Sequence, residues 1–291
     1  MQLESLAAHP FPWHALIMPW MPELFSAPVL EELLRKRRRD ELLSVPFFYG
    51  LTAGEPDALL ASFAGEPELY DPVRGRIKGE KAFREFTARM NAWLVSRNVS
   101  VEDVRRVILE ERGFEEVVLH VDGVDGLVDL PFASVTDHSS GGRIGEIRLY
   151  YSNWPLTGRH AIRPPLLQPD EGLPVPDVVA EYRHALAAGD LDAVLATFEP
   201  DGYLREPSGE SYLHRGPDGL RAFYEPLFSN GGGVQLEVCT VVDDGQACAM
   251  ELNVTGWGPT EQPPQAGVAV FVRGDSGRLA AVHLYDDVDR V

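Results

Sequence analysis

The chain repeats itself, and that repeat constrains its fold more than any other feature. Leu51-Thr-Ala-Gly-Glu-Pro-Asp-Ala-Leu-Leu-Ala-Ser-Phe63 lies without a gap over Leu186-Ala-Ala-Gly-Asp-Leu-Asp-Ala-Val-Leu-Ala-Thr-Phe198, an offset of 135 residues. The same offset lays Asp71-Pro72 over Glu206-Pro207 and slips by two residues where Gly79 meets Gly216. It returns at the end, with Gly142-Arg143-Ile144 over Gly277-Arg278-Leu279 and Leu149-Tyr150 over Leu284-Tyr285. A match that begins and ends in one register predicts two copies of one fold.

Between the copies, Arg163 to Pro176 carries five prolines and suits an extended linker rather than a packed element. The reading is an N-terminal arm and helix over 1–43, a first domain over 44–160, the linker over 161–176 and a second domain over 177–291. The arm holds Trp13, Met18, Trp20 and Met21 and is expected to dock on the protein's own surface, since leaving such a patch in water is costly. Arg35-Lys-Arg-Arg-Arg39 has the look of a nucleic-acid or localisation signal. Among so many acidic groups it reads instead as a solvated helix face.

In copy two, Val178, Tyr182, Ala185 and Leu186 recur at helical spacing, Gly189 breaks that helix, and Leu191 to Phe198 forms a second. Pro217 suits the first turn of a third helix whose apolar face is Leu220, Phe223, Tyr224 and Leu227. Gly231-Gly232-Gly233 follows, either a lid or a plain helix-to-strand connection. The pattern then changes to strands over 234–243, 246–257, 266–273 and 278–286. Copy one matches, with strands near 101–111, 114–122, 126–136 and 143–151. Three helices followed by a curved antiparallel sheet make each copy an α+β domain.

Composition narrows the partners. Lys and Arg number 26 against 45 Asp and Glu, a net charge of −19, which opposes partners held through their phosphates. Neither nucleic acid nor an anionic membrane surface is expected. No window approaches the roughly 20 apolar residues of a membrane span, and prolines interrupt the apolar residues near the N-terminus, so a cytoplasmic chain is expected. Cys239 and Cys248 lack the spacing of a zinc site or redox pair and read as core residues. His184, His214 and His283 fall on a helix, a loop and the last strand, so no metal centre is expected.

The run from Tyr182 to Phe198, then Leu204-Arg-Glu-Pro207, His214-Arg-Gly216 and Leu220-Arg-Ala-Phe-Tyr224, resembles the SnoaL-like and ketosteroid isomerase branch of the nuclear transport factor 2-like superfamily. The resemblance covers nearly all of copy two and, more weakly, copy one. It implies cone-shaped domains, cystatin-like α+β rolls, in which helices and a bent sheet enclose an apolar pocket. It also implies that the two copies mimic within one chain the dimers common in this superfamily, giving either a monomer or a homodimer. The superfamily includes isomerases, polyketide cyclases, epoxide hydrolases, dehydratases and non-catalytic binders, so the fold does not settle the reaction.

Carried over residue by residue, the family's donor tyrosine falls at Tyr182 and its proton-shuttling carboxylate, beside a proline, at Glu206, with Asp71 as the copy-one equivalent. The family's second donor, a protonated aspartic acid, falls at Ala269 and is missing. Copy one has Phe47 in place of Tyr182, so it keeps a carboxylate and lacks the phenol.

Each candidate has a plain alternative. A carboxylate at Glu206 that faces an apolar cavity can both take and return a proton; otherwise Glu-Pro merely opens a turn. Tyr182 can hold a developing oxyanion or be an ordinary core tyrosine. Asp286 can replace the missing acid or sit solvated at a chain end. Phe223, Trp257 and Leu284 are candidate pocket walls. The expected function is a cofactor-independent acid–base enzyme, an isomerase or cyclase, acting on a small apolar carbonyl compound such as a polyketide, terpenoid or steroid-like metabolite. Epoxide opening and non-catalytic binding are the alternatives.

Overall fold

In each half the chain lays down two short helices, a small hairpin, a longer helix and four long strands. The computed structural model describes residues 47–54, 56–123, 126–139, 142–207 and 212–286, all within the unit Leu42–Val291. The aromatic arm, the basic run and the helix expected before Leu43 lie outside the described residues.

The first half contains α1 (Phe47–Ala53), α2 (Pro56–Ala61), β1 (Glu68–Asp71), β2 (Gly75–Lys78), α3 (Glu80–Ser96), β3 (Ser100–Ile108), β4 (Arg112–Asp122), β5 (Leu127–His138) and β6 (Ile144–Tyr150). A short α4 (Trp154–Thr157) leads into the linker. The second half contains α5 (Asp177–Ala188), α6 (Leu191–Ala196), β7 (Phe198–Arg205), β8 (Leu213–Arg215), α7 (Gly216–Phe228), β9 (Val234–Asp243), β10 (Ala247–Trp257), β11 (Thr260–Arg273) and β12 (Leu279–Leu284).

Local chemistry sets these bounds. Gly189 ends α5 at φ 68°, and the Asp190 carboxylate caps α6 by accepting from the Ala193 amide at 3.0 Å. The Gly231–Gly233 segment is a packed connection: a Cβ on Gly233 would lie 1.7 Å from the Leu186 carbonyl oxygen, and the Gly233 carbonyl accepts from Gly258. Only glycine permits that approach.

The two sheets have the same order, β2-β1-β6-β5-β4-β3 and β8-β7-β12-β11-β10-β9. The four long strands of each are antiparallel, as read from the sequence, but the sheets are mixed: β1 runs parallel to β6 and β7 to β12. The hairpin escapes sequence patterning because β1 and β2 have four residues each and β8 has three. The 135-residue offset reappears as strand register. Leu69 opposite Ile147 becomes Leu204 opposite Val282, Val117 opposite Phe132 becomes Leu252 opposite Gly267, and Ser134 opposite Leu149 becomes Ala269 opposite Leu284.

Three apolar cores result. One lies between helices and sheet in each half, and a third, including Val107, Phe114, Val135, Tyr150, Val242, Val270 and Tyr285, lies between the halves. Reciprocal polar contacts cross this third core. Glu251 accepts two bonds from Arg148, at 2.6 and 2.9 Å, and one from the Tyr150 hydroxyl at 2.7 Å. Its counterpart Glu116 meets His283 Nδ1 at 2.7 Å and accepts from the Tyr285 hydroxyl at 2.7 Å. Each half thus supplies a carboxylate to residues at the end of the other.

The linker is extended, as its prolines require, but it is packed. Arg163 is buried and donates to the carbonyls of Leu149 and Tyr70, and the Leu167 carbonyl accepts from the Asn253 side chain. No described helix is long and apolar enough to cross a membrane.

Candidate functional site

The concave side of the second sheet and helices α5 and α7 leave a chamber of about 50 Å³. Tyr182 and Leu186 reach it from α5, Phe223 and Leu227 from α7, and Leu252, Val254 and Trp257 from β10. Ala269 and Phe271 on β11, Leu284 on β12 and Asp286 just beyond complete much of the wall. Helix spacing puts residues three and four apart on one face, and strand alternation does the same for every second residue, so these side chains converge. Ligand pockets usually exceed 300 Å³, so a sizeable ligand needs the wall to give. Phe223 and Trp257 are only partly buried and border the opening space.

Two polar groups face this apolar wall. Tyr182 is 3% exposed, and its hydroxyl shares a hydrogen bond of 2.8 Å with that of Tyr224. Burial holds the Tyr182 phenol well above its ordinary pKa despite that bond, and the charge of Asp286 pushes in the same direction. Tyr224, fully buried, is also held well above its ordinary pKa, by burial and by Tyr182. Both phenols therefore stay protonated and able to donate across the physiological range. Asp286, half-buried, brings a carboxylate to the same chamber.

Glu206 is not among the residues lining the chamber. It follows the end of β7, where its amide donates to the Tyr212 carbonyl at 3.1 Å and its carboxylate pairs with His214 Nε2 at 2.7 Å. The expectation that Glu206 points into the apolar space beside Tyr182 is corrected by this hairpin-edge pairing. The pair still lies close to the chamber, because the His214 ring packs 4.7 Å from that of Phe223, a wall residue. Asp71, at the matching place in the first half, is 1% exposed and also committed: it accepts from the amides of Val73 and Arg74 and from the Tyr151 hydroxyl. Its carboxylate holds the β1–β2 turn. His283 is engaged with Glu116 between the halves, far in role from any metal centre.

The SnoaL-like domain family matches residues 179–282. Over those residues the second half is similar to SnoaL-like domains. Similar solved structures include a candidate polyketide cyclase from Sinorhizobium meliloti, 23% identical over 38% of this chain and 94% of that one, with a TM-score of 0.32. Another is SalBIII, an epoxide hydrolase/cyclase-like enzyme of pyran ring formation in salinomycin, 18% identical over 39% and 90%, TM-score 0.32. A third, with a ketosteroid isomerase-like fold, comes from Catenulispora acidiphila and is 23% identical over 38% and 84%, TM-score 0.32. No curated protein matches the chain.

Two features of the chamber escape a reading of the sequence. Tyr224 counts there as one more apolar helix residue, although its hydroxyl is the partner of Tyr182. Gly267 looks unremarkable within a strand, yet a Cβ there would lie 2.9 Å from the Cβ of Asp286. The signal was present in the repeat, since the first half carries Phe132 at that register.

Proposed function

We propose that the SnoaL-like half is a cofactor-independent acid–base catalyst for a small apolar carbonyl compound, working as an isomerase or a cyclase. The observation that supports this is a carboxylate, Asp286, and a phenol, Tyr182, on one otherwise apolar wall, with the Tyr182 hydroxyl bonded to that of the buried Tyr224. Asp286 takes the base role, removing a proton from the carbon next to the carbonyl. The C–H electron pair moves into an enolate, and the oxygen, now negative, accepts a bond from Tyr182. For Tyr182 to donate outward, Tyr224 must donate to it, and a chain of two hydroxyls polarises in that sense. The proton then returns to another carbon, completing an isomerisation, or the enolate carbon attacks a second carbonyl and closes a ring.

A β,γ-unsaturated ketone such as 3-cyclohexen-1-one tests this, because its conversion to the conjugated enone is read by ultraviolet absorbance. D286N is expected to lower kcat at least about 100-fold, within the usual range for a general base. Y182F is expected to lower it by roughly 100- to 1,000-fold, as loss of an oxyanion donor does. E206Q is expected to change it little. Turnover that survives D286N, or that E206Q removes, rejects the assignment. The narrowness of the chamber supports a second reading, a binding half without turnover; ketone binding by the intact chain with no proton exchange from heavy water would select it.

A further inference from the structure

The first half keeps a pocket of its own, about 200 Å³, at the mouth of its cone. Its apolar wall combines Trp93, Phe132 and Tyr151, the last two rings stacked 4.0 Å apart at 20°, with Val73, Met90 and Leu156. Its polar lining is Arg74, Arg97, Asn153 and Thr157, and it includes no carboxylate.

We propose that this pocket binds a small planar aromatic carboxylate. The oxygens of Asp71, the nearby acid, are already taken by the Tyr151 hydroxyl at 2.8 Å and by the amides of Val73 at 3.0 Å and Arg74 at 2.7 Å. Those same bonds fix the turn that carries Arg74, whose guanidinium lies 5.6 Å from the centre of the Phe86 ring. Arg97 is steadied by donating one N–H to the Asp122 carbonyl at 3.0 Å. Two held guanidiniums beside a flat aromatic wall, in a chain of net charge −19, reverse the local sign. Guanidinium forks match a carboxylate, and the stacked rings offer a face to an aromatic plane. The second-half chamber has the opposite lining, a carboxylate and no cation, so the two halves select different ligands.

The test uses the full chain and calorimetric titration with 2-naphthoate and its neutral amide. The carboxylate is expected to bind at least about tenfold tighter than the amide, with the preference weakening as salt is added. R74Q/R97Q should lose that preference, and R74K/R97K should keep part of it. Both arginines are at the pocket mouth, and a melting curve for each variant confirms that it is folded. G267F, which fills the second-half chamber, should leave naphthoate binding unchanged. Equal affinity for acid and amide, binding undiminished in the folded R74Q/R97Q chain, or binding lost in G267F would each overturn the proposal.

Discussion

The two halves share a backbone and differ in what fills it. In the first, Phe132 stands between Phe48, edge-on at 5.5 Å, and Tyr151, stacked at 4.0 Å, closing the inner cone with rings. In the second, Gly267 occupies the same register, and Asp286 stands where the first half has Tyr151. Phe47 and Thr87 in one half correspond to the bonded phenols Tyr182 and Tyr224 in the other. Strand pairing and register tolerate these exchanges because they depend on alternation, whereas an internal cavity depends on single side chains. A duplicated fold can therefore keep one backbone and hold two different interiors. The same asymmetry runs through the contact between the halves: Arg148 carries a permanent charge where the second half has His283.

That last difference yields the largest expected effect. Arg148 is fully buried and holds Glu251, Asp137 and Glu146, each through a bond of 2.6 Å. R148A leaves the buried Glu251 carboxylate without its counter-charge, with only the neutral Tyr150 and Thr240 hydroxyls still donating, and is expected to cost about 3–5 kcal/mol in chemical denaturation. H283A removes one hydrogen-bonding partner from Glu116, with Tyr285 still donating, and is expected to cost about 1–3 kcal/mol. Equal losses would mean that the two contacts are energetically alike despite their different chemistry. Next comes F132A, which empties the first cone; it borders the mouth pocket, so a cost of about 3 kcal/mol, the low end for a buried phenylalanine, is expected.

Acid should separate the halves further. Burial pushes the Glu116 carboxyl up, but the charge and hydrogen bond of His283, the Tyr285 bond and the Arg205 charge outweigh it and hold the group below the ordinary carboxylate range. A folded pKa below the unfolded one gives stability that is complete above about pH 4.3 and lost as pH falls through the folded value. Denaturation midpoints of the wild type should drop over that acid window. H283A should show a shallower drop, because Glu116 then has less to lose; an unchanged slope would show that Glu116 is not the group responsible.

Much of this architecture is legible from residue order alone. The offset of 135 is the whole fold in outline, since it survives as strand register, and the long strands and paired helices carry clear periods. The chamber walls are legible for the same reason: Phe223 and Leu227 share a helix face, and Leu252 and Val254 alternate along one strand. Glu206 is not, because its direction depends on a hairpin too short to carry a pattern, and on a histidine eight residues away. The contact between the halves is equally hidden. Glu116 and Glu251 interrupt apolar strands without a local partner, since Arg148 lies 103 residues from Glu251 and His283 lies 167 from Glu116. Their one trace is that both glutamates fall at the repeat offset.

The smallest change tests the central contrast most directly. Gly267 has a φ that other residues adopt, so G267A imposes no left-handed strain, but its Cβ would lie 2.9 Å from the Cβ of Asp286 and 3.6 Å from Leu252 Cδ1. The first contact is closer than two such carbons pack, and a Cβ moves only with its backbone, so residue 286 must be displaced. Against this, alanine loses less backbone freedom on folding than glycine, a gain of about 0.4–1 kcal/mol. Overpacking of this kind costs about 1–3 kcal/mol, so stability should fall by about 1–2 kcal/mol. A base is sensitive to small displacement, because its reach to the proton is a hydrogen-bond distance. The expected result on 3-cyclohexen-1-one is a several-fold lower kcat with KM nearly unchanged. If kcat holds while KM rises, glycine at 267 serves only to make room for the ligand, and the first half's phenylalanine differs from it in volume alone.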